Sequence, residues 1–224
     1  MISIRLIKIN RKLYFLQSEE VLDGIKKINK LVLASTNPNK IKEFVDIFSK
    51  NTIDIIPQSK FGINATNEKH ITFIENAIEK ARHISRLTNL PTIAEDSGLC
   101  VDALNNYPGI FSARYALLDK PNSRISNNNL LIRNLNNIDN RKAYYVSVIV
   151  FLNNPDDPTP LISEGRLYGE IVDEPSGNNG FGYDPHFYLP KFGKTIASMT
   201  MKEKNLISHR SIAVGKLINK IMHA

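Results

Sequence analysis

Leu31-Val32-Leu33-Ala34-Ser35-Thr36-Asn37-Pro38-Asn39-Lys40 reads as a strand running into a helix. The apolar run Leu31 to Ser35 is short and ends in turn residues, the signature of a buried strand. Asn37 is a good N-cap, and Pro38 fits the first helical position, where its missing N–H costs nothing. Ile41, Phe44, Val45 and Phe48 then recur at helical spacing. Ile53 to Pro57 reads as a second strand, which completes a β-α-β step. Further along, Thr72 and Glu75 have capping-box spacing. They open a helix carrying Ile74, Ala77, Ile78, Ala81 and Ile84. Pro91 to Glu95 is predicted to be a strand ending in the turn Asp96-Ser97-Gly98. A helix is expected over 126–135. Tyr144 to Leu152 and Leu161 to Val172 read as long strands joined by the Pro- and Asp-rich loop 153–160. Ser208 opens a last helix with Ile212, Val214, Leu217, Ile218 and Ile221. Both βα steps and a hairpin occur, so an α/β fold with a mixed sheet is expected.

At 224 residues the chain suits one domain, and 42% hydrophobic residues exclude a disordered chain. The longest apolar run, Val146 to Leu152, is far too short to span a bilayer. The single cysteine, Cys100, excludes an internal disulfide framework and points to a reducing cytosol. The histidines are too scattered for a zinc site. The net charge of +7 is unevenly spread: +4 over residues 1–30, −3 over 31–190 and +6 over 191–224. A basic tail folding back beside carboxylates suits a metal–polyphosphate ligand better than a nucleic-acid duplex. Residues 1–30 read as an extension to a domain spanning 31–224. The alternation of Ile2, Ile4 and Leu6 is a weak strand signal, and Ser18 can cap a short helix through Ile28. Arg5, Lys8, Arg11 and Lys12 faintly resemble a transit peptide, but Glu19, Glu20 and Asp23 argue against one.

Four clusters are able to carry chemistry. The turn Ser35 to Lys40 offers hydroxyls, an amide, a cation and helix N–H groups to phosphates. Glu95-Asp96, adjacent carboxylates at a strand end, suit Mg²⁺ and a water to be activated, with Glu68 and Glu75 as further oxygen donors. In Gly177 to Pro185 the glycines let backbone approach a ligand, and Phe181 and Tyr183 offer flat rings for stacking on a base. Lys204, His209 and Arg210 offer cations and a titratable donor. Each cluster also has an ordinary reading as a capped turn, an acidic loop or a solvated helix end.

Together, and in this order, they resemble the inosine triphosphate pyrophosphatase family, also called XTP/dITP diphosphohydrolases. The likeness runs from Leu31 to about Leu217, through LVLASTNPNK, TFIENAIEKARH, AEDSGLCVDAL with YPGIFSARYA, GFGYDP and EKNLISHR. GFGYDP followed at this distance by SHR is its most specific part. The resemblance implies an elongated α/β fold, a long mixed sheet with helices forming two lobes around a central cleft, and a homodimer. It implies Mg²⁺-dependent hydrolysis of deaminated purine nucleoside triphosphates (ITP, dITP, XTP) to the monophosphate and pyrophosphate. Carried over residue by residue, it makes Ser35, Thr36, Asn37, Pro38, Asn39 and Lys40 the triphosphate-binding turn. Asp96 becomes metal ligand or water-activating base, Glu68 a metal ligand and Ser97 a substrate contact. Phe181, Gly182, Tyr183, Asp184, Lys204, His209 and Arg210 become substrate contacts, with Lys80 and Arg114 as further candidates.

The chain departs from that pattern at several positions. Asn39 stands where a glycine is common, Glu95 where an Asp is, Asn105-Asn106 where a Gly pair is, and Ser176 and Ser198 where an Arg and a Glu are. The competing readings are a pyrophosphatase for other modified nucleotides and a basic nucleic-acid-binding module. The second would show Lys/Arg interleaved with aromatics along one surface. Here the aromatics sit in a glycine loop among carboxylates.

Overall fold

The computed structural model describes residues 5–9, 12–16, 30–49, 53–64, 68–118 and 124–223. Arg5–Ile9 (β1) and Lys12–Leu16 (β2) pair antiparallel as a separate two-stranded sheet. The strand signal around Leu6 falls on β1; Ile2, Ile4 and the helix expected after Ser18 lie outside the described residues.

The remaining described strands are Lys30–Ala34 (β3), Asp54–Pro57 (β4), Thr92–Val101 (β5), Lys142–Leu152 (β6), Leu161–Ile171 (β7), Phe187–Leu189 (β8) and Lys194–Thr195 (β9). They form one mixed sheet in the order β4-β3-β5-β6-β7-β8-β9. β3 runs parallel to both β4 and β5, and every later pairing is antiparallel. The helices are Pro38–Phe48 (α1), Phe73–Thr88 (α2), Arg124–Asn134 (α3), Met201–Ile207 (α4) and His209–Ile221 (α5). Local sequence starts them as expected. The Asn37 side chain accepts from the N–H groups of Asn39 and Lys40, Thr72 accepts from Glu75, and Ser208 accepts from Ser211.

The crossover through α1 leads from β3 outward to β4, and the one through α2 leads back past β3 to β5. Crossovers are right-handed, so the two helices must lie on opposite faces of the sheet. The cores agree. Leu31, Leu33, Ile93 and Phe151 pack on Phe44 and Phe48 of α1 and on Ala213, Val214 and Leu217 of α5. Val32, Ala34, Ala94 and Val150 pack on Ala77, Ala81 and Ile84 of α2. Phe44 and Phe48 are fully buried, worth roughly 1.5–3 kcal/mol each. A third cluster, with Leu99, Tyr145, Leu131, Phe187 and Met199, fills the other end of the long strands. β5 and β6 thus run through two lobes, with a polar waist between the cores. Among the described residues no helix is long and apolar enough to cross a membrane.

The turn expected at Asp96-Ser97-Gly98 is absent. β5 continues to Val101, because β6 pairs with it residue for residue: Asp96 opposite Val148, Ser97 opposite Ser147 and Gly98 opposite Val146. Gly98 is required for a different reason than a turn. A Cβ there would overlap the Gly109 carbonyl, which crosses over the strand.

Candidate active site

β3 ends at Ala34, opposite Ala94, so no strand covers β5 beside Glu95, Asp96 and Ser97 on that side; farther along, Leu99 and Cys100 meet Ser112 and Pro108. The chain order reverses at β3, and ligands of such sheets bind at the carboxyl end of the strands beside a reversal. A cavity of about 560 Å³ opens there. Ser35, Thr36, Asn37, Asn39, Lys40, Glu68, Asp96, Ser97, Phe181, Gly182, Tyr183, Asp184, Lys204, His209 and Arg210 all border it. Pro38 and Glu75, also expected in the site, do not border it; Pro38 faces a groove on the outer side of α1. Lys80 and Arg114 also line the cavity.

Successive side chains of a strand point to opposite faces. Glu95 therefore shares the face of Ile93, toward α1 and α5, and Asp96 the face of Ala94, toward α2. The two adjacent carboxylates therefore meet different partners.

On the first face Glu95 accepts from Arg210 Nη2 on Oε2 at 3.1 Å and from Ser147 Oγ on Oε1 at 2.6 Å, and it pairs with Lys40 Nζ at 3.2 Å. Arg210, only 1% exposed, donates its other arm to Glu43. Glu43 also pairs with Lys204 Nζ at 2.8 Å, and Lys204 with Asp184 Oδ2 at 2.8 Å. Burial alone would raise the Glu95 carboxyl, but the Arg210 and Lys40 charges outweigh it and hold it well below the usual range. Glu43 escaped the sequence reading. It lies beside Phe44 in an amphipathic helix, and nothing local marks it as fully buried.

On the second face Asp96 takes a hydrogen bond from Lys80 Nζ on Oδ1 at 3.2 Å and one from Asn76 Nδ2 on Oδ2 at 3.1 Å. Lys80 Nζ also donates to Glu68 Oε1 at 2.7 Å, and Arg114 Nη1 to Glu68 Oε2 at 3.1 Å. Burial raises the Asp96 carboxyl above its ordinary value, with Lys80 opposing. For Glu68 burial is outweighed by Lys80, and its carboxyl is lowered. Glu75 takes no part: it is exposed, bonded to Thr72, and outside the cavity lining.

Gly180, at φ +72°, has no room for a side chain against Asp184. Asp184 Oδ2 accepts from the Phe181 N–H at 2.9 Å and from Lys204, whose ammonium lies 4.7 Å from the centre of the Phe181 ring. Tyr183 is not a stacking surface. It is buried in the third core, and its hydroxyl donates to the Ser112 carbonyl at 2.9 Å. His209 stacks on Tyr145, with ring centres 4.9 Å apart. Burial first, then Arg210, push its pKa well below the ordinary value, so the ring is neutral. Its Nδ1 and the Arg210 Nε are buried with no hydrogen-bond partner among the described residues.

Three departures from the family pattern are harmless here. Asn39 is an ordinary helical residue with no positive φ, so a glycine is not needed. Asn105 and Asn106 take φ values of 50° and 64°, which asparagine tolerates better than other side chains.

Mg²⁺ takes one or two carboxylates and leaves its other positions to waters and phosphate oxygens. Glu68 and Asp96 fit that mode, since both reach a single point, the Lys80 ammonium. No three His, Cys, Asp or Glu side chains converge among the described residues, so a cage built from protein alone is not formed.

The chain is 48% identical to the dITP/XTP pyrophosphatase of Burkholderia pseudomallei over 194 residues, covering 86% of this chain and 93% of that one. It is 47% identical to the protein of the same name from Bordetella pertussis over 207 residues, 91% and 95% of the two chains. Among solved structures, a HAM1 protein from Coxiella burnetii superposes with a TM-score of 0.80 at 41% identity, covering 88% of this chain and all of that one. The Staphylococcus aureus Ham1 protein gives 0.76 at 39%, covering 87% and 98%. The Ham1 family model matches residues 31–220, and the chain belongs to the Ham1 family.

Proposed function

We propose that this chain hydrolyses deaminated purine nucleoside triphosphates, ITP, dITP and XTP, to the monophosphate and pyrophosphate with Mg²⁺, in the cavity beside β5. The relatives named dITP/XTP pyrophosphatase support the substrate class. The observation that carries the reading is the pair of opposed chemistries in one cavity. Two carboxylates, Glu68 and Asp96, converge on one point, and His209 Nδ1 and Arg210 Nε are buried with no partner among the described residues.

Glu68 and Asp96 hold the metal, which when bound neutralises phosphate charge. The α1 N-terminus and Lys40, whose side chain remains partly exposed, take phosphate oxygens. Asp96, with its pKa raised by burial, is suited to accept a proton from water. Lys204 and Arg210 stay paired with carboxylates and set the walls of the site. Arg210 Nε–H can only donate. A purine with oxygen at position 6 accepts from such a donor, and adenine presents its own amino group there. Guanine keeps that oxygen and is rejected at position 2, where its amino group needs an acceptor or space. An unpaired buried polar group costs roughly 1–3 kcal/mol, and sites built this way discriminate strongly. ITP, dITP and XTP are therefore expected to be cleaved at least about 10²-fold more efficiently than ATP or GTP. Values of kcat/KM for the five nucleotides, with and without Mg²⁺ and with products resolved by phosphorus NMR, test this. Comparable values for ITP and ATP would sink the reading.

A second copy of the chain is the partner we assign to the aromatic face formed by Tyr107, Phe111, Tyr144 and Tyr168. Tyr107 stacks on Phe111, Tyr144 packs on Tyr168, and Tyr107 and Tyr168 are 48% and 66% exposed. Sedimentation equilibrium should give a dimer, and Tyr168→Glu should shift it to monomer. An unchanged dimer in that variant would place the interface elsewhere.

A further inference from the structure

Asn76 is 1% exposed and lies one helical turn before Lys80 on α2. Residues four apart share a helix face, so both side chains reach Asp96. Lys80 occupies one oxygen of Asp96, and Asn76 Nδ2 occupies the other. The same amide group closes on the chain at His70. Its Oδ1 accepts from the His70 N–H at 3.0 Å, and its Nδ2 donates to the His70 carbonyl at 3.3 Å. Residues 68–72 belong to neither helix nor strand, so no backbone ladder fixes Glu68. Its position rests on side chains from elsewhere: Asn76, which holds His70 two residues downstream, and Lys80 and Arg114 on its carboxylate.

We propose that Asn76 is a positioning residue for the reaction: by clamping the His70 peptide and Asp96 with one carboxamide, it sets the placement of the Glu68 carboxylate against that of Asp96. The inference rests on the reading of Asp96 as a reacting group. Asn76 itself touches neither substrate nor metal. It is absent from the cavity lining, although it is bonded to a residue that borders the cavity. A displacement of reacting groups by about 1 Å costs about 10²-fold in rate, even when the group that held them lies outside the cavity.

The test is a kinetic double-mutant cycle with ITP and Mg²⁺, using Asn76→Ala, Asp96→Asn and the pair. Asn76→Ala should lower kcat roughly 10- to 100-fold while KM stays within about threefold, because the phosphate and base contacts are untouched. In the double variant the loss should be no greater than in Asp96→Asn alone, since there is no longer a carboxylate to place. Hydrogen exchange supplies a readout independent of activity: the His70 amide should exchange faster in Asn76→Ala. Asn76→Asp keeps the acceptor for the His70 N–H but sets a second carboxylate against Asp96, so it should lose kcat as well; thermal melts of both variants show that the losses are read on folded protein. Wild-type kcat in either variant would overturn the proposal, as would a loss that multiplies in full onto that of Asp96→Asn. If Asp96→Asn itself retains activity, the catalytic reading fails along with this one. If only the Asn76 variants do, the catalytic reading stands and the positioning role falls.

Discussion

Asp96→Asn is expected to lower kcat for ITP by roughly 10²- to 10⁴-fold, the range associated with removing a general base. The substitution keeps the shape and removes both the charge and the proton acceptor. It also turns one acceptor atom into a donor, which must then face either the Lys80 ammonium or the Asn76 amide. Neither neighbour can accept in return, except through the Asn76 oxygen already bonded to His70. Asp96 lies within a buried strand, so some stability is lost as well, on the order of 1–3 kcal/mol for an unsatisfied buried group. Activity should be measured below the variant's melting temperature at saturating Mg²⁺. A kcat within a few-fold of the parent would remove Asp96 from the chemistry.

The second large effect concerns the fold rather than the reaction. Arg210 joins α5 to Glu43 of α1 and Glu95 of β5, with all three side chains at 1% exposure or less. A buried ion pair contributes little net stability while intact, because desolvation offsets attraction. Removing one partner is different: Arg210→Met leaves two carboxylates without their guanidinium, at a cost of roughly 3–5 kcal/mol. Total stability of a domain is only about 5–15 kcal/mol, so the urea midpoint should fall by a large fraction. Lys40 and Lys204 still face Glu95 and Glu43, which bounds the loss. Adding Glu95→Gln to Arg210→Met should recover part of it by removing one orphaned charge. An unchanged midpoint in Arg210→Met, or no recovery in the double variant, would mean the network is not coupled as its geometry indicates.

A pair of serines away from that network shows what a pattern of residue types leaves open. Ser176 and Ser198 stand where an Arg and a Glu are common in the family pattern, and in the sequence they are two separate departures 22 positions apart. In the structure their hydroxyls lie 3.2 Å from one another. An opposite-charge pair and a hydroxyl pair each satisfy the same contact, so the two changes are one.

What the sequence determined by itself is what depends on groups a few residues apart. Caps at Asn37, Thr72 and Ser208, the apolar stripes of α1, α2 and α5, and the apolar runs of β3 and β6 all act through bonds to near neighbours. Those signals are enough to place a βα turn, an acidic strand, a glycine loop and a basic helix in order. The tertiary structure decided the rest. β5 runs on through Asp96-Ser97-Gly98 because β6 supplies its hydrogen-bond partners from 50 residues downstream, a contribution no local rule contains. That extension puts Glu95 and Asp96 on opposite faces and so divides one acidic motif into an anchor for Arg210 and a partner for Lys80. Glu43 and Asn76 were invisible for the same reason. A polar residue on an amphipathic helix reads as solvated until the chain returns, 167 residues later for Arg210 and 20 for Asp96, to bury it.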